Sequence, residues 1–309
     1  MPPTTKIIGI SGPSSSGKTT LARLLQGIFS QLDSPHLTTF IIHEDDFYFP
    51  DDKIPYTTTA TGKTIQDWDT IAAIDVTLLA SALRYVRTHG ALPPRLKSIQ
   101  DLNEASDAGV PADVLAQLRA EVSARLARRP ATEPSTVAFL EGFLLYAPPG
   151  TKDQTHVLRA VHDQIDVRLF LPAPYTLVKA RRESRTGYVT SGPAPAPAPP
   201  AEPVEGAEEG VDGTVDLEGE DERPPQNFWV DPPGYVDDIV WPRYVQDHAW
   251  LLLPEDGAGG DSRDWVQRVG QGVNVRTDAG VMVAPGQGNK PMEELLRWAV
   301  DAVMEAIEQ

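Results

Sequence analysis

One stretch limits what this chain can fold into more than any other: Gly12-Pro13-Ser14-Ser15-Ser16-Gly17-Lys18-Thr19, followed by Thr20. It fits the pattern G-x-x-x-x-G-K-[ST]. Glycines let the backbone turn tightly, so that several N–H groups point at one phosphate. Lys18 adds a mobile positive charge for the outer phosphates, and Thr19 offers a hydroxyl to Mg²⁺. Four fixed positions recur by chance, so the flanks must decide. Lys6-Ile7-Ile8-Gly9-Ile10 reads as a short buried strand. Leu21, Leu24, Leu25, Ile28, Phe29 and Leu32 then fall at helical spacing. Strand, glycine loop and helix N-terminus together make an anion site. These flanks disfavour the alternative, a serine-rich turn with no ligand.

Two later apolar runs end in acids. Residues 37–42 form a strand that runs into His43-Glu44-Asp45-Asp46-Phe47-Tyr48. Ligands of open parallel sheets sit beyond the carboxyl ends of strands. A carboxylate there can take a proton from a substrate hydroxyl while also meeting Mg²⁺. The alternative is that Asp45 and Asp46 only cap a turn. Residues 136–145 form a third strand, broken by Glu141-Gly142. A charge in so apolar a segment costs several kcal/mol unless it is paired or near a metal, so Glu141 is expected to meet Mg²⁺.

Between these strands, residues 51–70 read as a loop closing on Asp67-Trp68-Asp69-Thr70, and Ile71 to Val86 reads as a helix. Asp69 or Thr70 is a natural N-cap, the reading that local sequence favours. The other reading puts Trp68 and Asp69 at the mouth of a site, a ring face beside a carboxylate that grips a diol. Residues 91–135 depart from the α/β rhythm. Pro93-Pro94 breaks the chain, and Asp113 to Arg129 is helical, with Arg119, Arg125, Arg128 and Arg129 on a solvated face. This insertion is a candidate partner surface.

Residues 167–171 make a fourth strand, and Pro174 to Arg185 a helix bearing Lys179, Arg181, Arg182 and Arg185. Such a cluster either closes over a triphosphate or marks a helix end favoured by its dipole. Residues 191–226 follow, with ten acidic residues against one basic. With almost no large apolar residue, they are expected to be disordered. Asn227 to Tyr235 restores order, and a helix continues through Val245. Val273-Asn274-Val275-Arg276 is a last strand, and Met292, Leu295, Leu296, Ala299, Val300, Val303 and Ile307 make an amphipathic closing helix.

Composition removes several classes. A formal charge of −17 over 309 residues argues against a nucleic-acid binder. The absence of cysteine excludes disulfides and thiolate metal sites. No apolar run suits a signal peptide or a membrane span, so a soluble, cytoplasmic protein is expected.

Taken together, these blocks resemble the nicotinamide riboside kinases, within the uridine-kinase-like P-loop enzymes. The resemblance rests on Ile7 through Ala22, Asp45-Asp46-Phe47-Tyr48, Glu141-Gly142-Phe143-Leu144-Leu145, Arg181-Arg182-Glu183-Ser184-Arg185, and Pro233-Gly234-Tyr235 with Val240-Trp241-Pro242-Arg243-Tyr244. It implies one α/β domain of the P-loop NTP-hydrolase type, a central parallel sheet flanked by helices with a lid; the helical insertion 91–135 and the acidic insertion 191–226 lie outside the resemblance. The implied reaction is ATP-dependent phosphorylation of nicotinamide riboside, and of nicotinic acid riboside, in NAD synthesis. A uridine or cytidine kinase and a non-catalytic nucleotide-dependent regulator are the alternatives.

The resemblance implies that Asp45 is the base and, with Thr19, a metal contact. Asp69 and Arg182 hold the ribose hydroxyls. Asp46, Phe47 and Tyr48 belong to the substrate site. Trp68 stands where the family tends to carry a tyrosine, and with Tyr188 it sandwiches the nicotinamide ring. Arg181 and Arg185 belong to the ATP lid. Two departures from the family pattern stand out. Gly187 sets Tyr188 one residue further from Arg185, and the acidic stretch enters the lid itself. Either insertion is a candidate surface for a protein partner.

Overall fold

The computed structural model describes residues 4–32, 37–100, 108–128, 135–149, 156–193, 226–252 and 276–308. At its centre five parallel strands stand in the order β2-β5-β1-β6-β9. They are β1 (Thr4–Ser11), β2 (Leu37–His43), β5 (Ser135–Gly142), β6 (Val167–Phe170) and β9 (Met282–Val283). A parallel sheet covered on both faces needs apolar side chains at consecutive positions, which explains the unbroken runs in β1 and β5. Successive residues point to opposite faces. Ile8, Ile10, Val137, Phe139 and Leu169 therefore enter one core layer, while Ile7, Ala138, Leu140 and Phe170 enter the other.

The first layer is built by α1 (Lys18–Phe29), α3 (Ala112–Leu126) and α7 (Met292–Glu308). Helix α3 comes from the segment set apart in the sequence as an insertion. It packs Val114, Leu118 and Val122 into the same core as α1 and α7. Its arginines also form surface ion pairs. The Arg125 guanidinium donates to both carboxylate oxygens of Glu308, each at 2.8 Å, and to Asp301. Arg128 is exposed, and Arg129 lies outside the described residues.

The second layer holds α2 (Val76–His89) and α6 (Trp241–Leu252), with the short α4 (Arg159–His162) beside α2. Helix α5 (Tyr175–Glu183) packs against the π-helical turn Val236–Val240 that leads into α6. The helix expected over 71–86 is split. A 3-10 turn, Ile71–Ala73, is capped by Thr70, and α2 starts afresh at Val76 with Asp75 as its cap, accepting from the Leu78 amide at 2.8 Å. Asp69 is thereby released from any capping duty.

Residues 51–70 are more than a loop, since they hold an antiparallel hairpin, β3 (Tyr56–Thr58) with β4 (Thr64–Gln66). The third strand stops at Gly142, short of Leu145. Among the described residues the last strand is Met282–Val283; of the strand expected at 273–276, residues 273–275 lie outside the described residues. The acidic stretch begins and ends in a second ribbon, β7 (Tyr188–Ser191) against β8 (Gln226–Trp229). Of residues 191–226, to which the expectation of disorder applied, Ser191 and Gln226 are thus strand residues, and 194–225 lie outside the described residues. Among the described residues no helix is long and apolar enough to cross a membrane.

One buried hydroxyl braces the sheet beneath the site. Tyr146 Oη lies 2.8 Å from Gly9 O and 2.7 Å from Leu169 O, so a single phenol serves the carbonyls of two neighbouring strands. Replacing Tyr146 by Phe removes that donor and leaves the carbonyls buried. We expect Tyr146→Phe to lose about 1–3 kcal/mol of stability, the usual cost of a buried unsatisfied group. Urea unfolding should show it as a lower midpoint with an unchanged slope.

Candidate active site

The loop after β1 folds as its composition requires. Gly12 has φ 154°, and a Cβ there would stand 2.2 Å from Leu171 O, so only glycine lets the chain pass. Gly17, at φ 103°, starts α1 with no side-chain cap and no acid in the first turn. The helix N-terminus thus offers its N–H groups outward, a site for an anion. Lys18 curls back so that Nζ donates to Pro13 O at 3.0 Å. Burial depresses the Lys18 pKa, opposed by the nearby charges of Glu141 and Asp45. The hydroxyls of Ser15 and Ser16 are buried and lack a partner among the described residues. Orphaned donors, an uncapped helix start and a buried cation form a cradle whose chemistry fits phosphate oxygens.

Beside this loop, β2 and β5 bring an imidazole and a carboxylate together, because their register sets His43 opposite Glu141. Glu141 Oε1 accepts from Thr19 Oγ1 at 3.1 Å and lies 2.6 Å from His43 Nδ1. Burial would raise the Glu141 pKa, but the hydrogen bond and charge of His43, with Lys18 and Thr19, hold it below the usual carboxylate range. Burial likewise works against a charged His43, and Glu141 outweighs it and holds the imidazole above its ordinary value.

Asp45 lies in the 3-10 turn Glu44–Phe47 and lines the same cleft as Gly17 and Lys18. Burial, then repulsion from Glu141, pushes its pKa up to about 6. Glu44 turns away from the cleft. Its Oε2 accepts from the amides of Phe143 at 2.6 Å and Leu144 at 3.0 Å, pinning the end of β5 against the turn.

Among the described residues no three His, Asp or Glu side chains form a metal cage by themselves. Mg²⁺ is commonly held through one or two carboxylates and a hydroxyl, with phosphate oxygens filling its shell. Thr19, Asp45 and Glu141 all line the cleft and supply that donor set.

The far end of the cleft is aromatic and closed by an ion-pair network. Asp69 receives both terminal nitrogens of Arg182, at 2.9 and 3.1 Å. Asp231 takes the other edge of the guanidinium, at 2.7 Å from Nε and 3.2 Å from Nη2. Burial works against the Arg182 charge, but Asp69 and Asp231 more than restore it and its pKa is raised. Trp68 meets Trp229, with ring centres 5.5 Å apart, and Tyr48 edge-on at 5.3 Å. Tyr48 is fixed by donating to Trp68 O at 2.9 Å. Tyr188 lines the cleft between Arg182 and Arg185, whose guanidinium carbons each lie 5.2 Å from its ring centre. Arg181 reaches the phosphate loop, donating to Ser15 O at 3.3 Å. The whole cleft encloses about 1040 Å³, its open mouth included.

Most of the residues singled out in the sequence therefore converge: Ser14, Ser15, Gly17, Lys18, Thr19, Thr20, Asp45, Asp46, Tyr48, Trp68, Asp69, Glu141, Arg182, Arg185 and Tyr188 all line this cleft. Gly12, Pro13, Ser16 and Arg181 shape or buttress its phosphate end. Phe47 is the correction. It is only 2 % exposed and packs in the core under the turn. In that tight turn it points inward while its neighbour Asp46 faces the cleft and accepts from the Ile99 amide at 3.1 Å.

Trp229, Asp231 and His43 were not singled out. His43 had a usable signal, a histidine opening an acidic strand end. Trp229 and Asp231 had none nearby, since they reach the site through ribbon pairing across the acidic stretch.

Comparison with known proteins bears on the family. A nicotinamide riboside kinase of Schizosaccharomyces pombe is 28% identical over 305 residues, covering 98% of each chain. Nicotinamide riboside kinases of Eremothecium gossypii and Saccharomyces cerevisiae are each 27% identical over 80% and 82% of this chain. Residues 7–185, more than half the chain and spanning the phosphate loop, Asp45, Glu141 and the α5 arginines, match the Phosphoribulokinase / Uridine kinase family, and to that family of phosphotransferases this chain belongs.

Proposed function

We propose that the chain transfers the γ-phosphoryl group of ATP to the 5′-hydroxyl of nicotinamide riboside, giving nicotinamide mononucleotide, a precursor of NAD. One observation carries the reading: a phosphate cradle and a carboxylate-flanked aromatic slot are the two ends of one cleft, with Asp45 among the residues lining it. The curated relatives bear the matching name.

In this reading the loop amides, Lys18 and the hydroxyls of Ser15 and Ser16 hold the phosphates. Thr19, Asp45 and Glu141 would hold Mg²⁺, which neutralises charge on the outer phosphates. Asp69 accepts hydrogen bonds from the ribose diol, and Arg182, clamped on both edges, keeps it in place. The riboside's cationic ring stacks among Trp68, Trp229 and Tyr188, where aromatic faces attract a cation. Asp45 takes the 5′-hydroxyl proton as the new O–P bond forms and the bond from Pγ to the bridging oxygen of ADP breaks. Arg181 and Arg185 offset charge on the departing ADP.

Turnover of ATP against a panel of nucleosides tests the proposal. Nicotinamide riboside should be the preferred acceptor, and Asp45→Ala should lower kcat at least about 100-fold, the low end for losing a general base. Preference for uridine or cytidine would redirect the reading to a pyrimidine kinase. ATP binding with no acceptor phosphorylated would point to a regulator.

The ribose grip has its own test. Wild type should discriminate against a 2′-deoxy acceptor by about 10- to 100-fold, the worth of a hydrogen bond to a charged group. Asp69→Asn should erase most of that ratio while the nucleotide KM stays put. Asp231 still neutralises Arg182 in this variant, and circular dichroism verifies the fold.

A further inference from the structure

The ribbon that supplies Tyr188 and Trp229 is held by a residue outside the cleft. Tyr188 pairs across the ribbon with Trp229, and Thr190 pairs with Asn227. Alternation along a strand puts these two cross-strand pairs on one face. The opposite face carries Phe228 and, just beyond β8, Val230, exposed by 58 % and 57 %. One face of a single ribbon thus bears the aromatic pair at one end and a polar pair at the other.

The polar pair converges on Asp51. Its Oδ2 accepts from Thr190 Oγ1 at 2.9 Å and from Asn227 Nδ2 at 3.0 Å, one donor from each strand. The Ser191 amide donates to the same carboxylate. Asn227 Nδ2 also reaches Gly192 O at 2.6 Å. At Gly192 the ribbon backbone lies directly on the chain at 50–51. Its φ is 121°, and a Cβ there would stand 2.7 Å from Pro50 Cβ and 2.8 Å from the Asp51 amide nitrogen. Asp51 is itself fixed, because Gln66 of the β3–β4 hairpin donates to its carbonyl at 2.6 Å. Asp51 as a residue is 5 % exposed, so little water competes for these bonds.

We infer that Asp51 is a positioning residue, a latch that joins both strands of the β7–β8 ribbon to the hairpin side of the cleft and so fixes the slot for the acceptor nucleoside. The latch itself stands on the geometry; its effect on the acceptor rests on the kinase reading above. It sits at the Ser191–Gln226 end of the ribbon, opposite the end that carries Tyr188 and Trp229.

The full-length chain tests this in two arms. Hydrogen exchange of the ligand-free protein reads the latch. Asp51→Ala should speed exchange in peptides covering 188–191 and 226–229 and leave α1 unchanged. Kinetics read the consequence. Asp51→Ala should raise the acceptor KM about tenfold or more, with kcat and the KM for ATP within about twofold, as expected when a binding wall is misplaced and the chemistry is not. Asp51→Asn, which keeps an oxygen facing the ribbon, should recover most of the loss, and Lys53→Ala on the same turn should change neither readout. Gly192→Ala perturbs the seat with the carboxylate intact and should raise the acceptor KM in the same way. Unchanged exchange in Asp51→Ala overturns the latch. Faster exchange with an unaltered acceptor KM overturns its positioning role. A wild-type enzyme that phosphorylates no nucleoside overturns the kinase reading, and the positioning role with it, while the exchange arm still decides the latch.

Discussion

Glu141 is a carboxylate at the end of a strand buried on both faces, and it keeps its charge because three partners from two neighbouring elements converge on it. The Lys18 charge and Thr19 come from the first turn of α1, and His43 from the end of β2. A buried ion without such partners would cost several kcal/mol and would protonate instead. The carboxyl ends of β1, β2 and β5 are therefore locked to one another by electrostatics as well as by the sheet ladder. Asp45, one turn beyond His43, inherits its place from that lock. Its raised pKa follows from the same crowding, since a second acid beside Glu141 in a buried site ionises reluctantly.

The second charged centre repeats the principle with the sign reversed. Arg182 is nine-tenths buried and carries a carboxylate on each edge of its guanidinium. Asp69 comes from the segment before α2, and Asp231 from the return of the acidic stretch. A planar fork satisfied on both sides has no freedom left to rotate. The ribose-side geometry is thus set before any ligand arrives, which lowers the ordering cost of binding. Between the two centres the cleft is lined by rings, and Trp68 belongs to both neighbourhoods through its contacts with Tyr48 and Trp229.

How legible these parts were depends on where their partners lie in the chain. The phosphate loop declares itself because strand, glycines, lysine and helix start are contiguous. Glu141 and Asp45 stand out because an acid that ends an apolar run is conspicuous without any structure. Asp69 was ambiguous. A carboxylate before a helix is a cap or a site residue, and the local sequence is the same for both. Asp75 settled it by taking the cap. Phe47 read as part of the site because its neighbours are, and only the turn geometry sends its ring into the core.

The sequence by itself determined the α/β class, the anion cradle at Gly12–Thr19, the two acids facing it and the basic character of α5, because each is written in the period and chemistry of a short window. Tertiary structure alone decided that helix α3 completes a core layer, that Trp229 and Asp231 wall the ring end, and that Asp51 ties the ribbon down. Those contacts join residues far apart in the chain. Their strength comes from registry between strands and from burial, and neither is visible until the sheet and ribbon have formed.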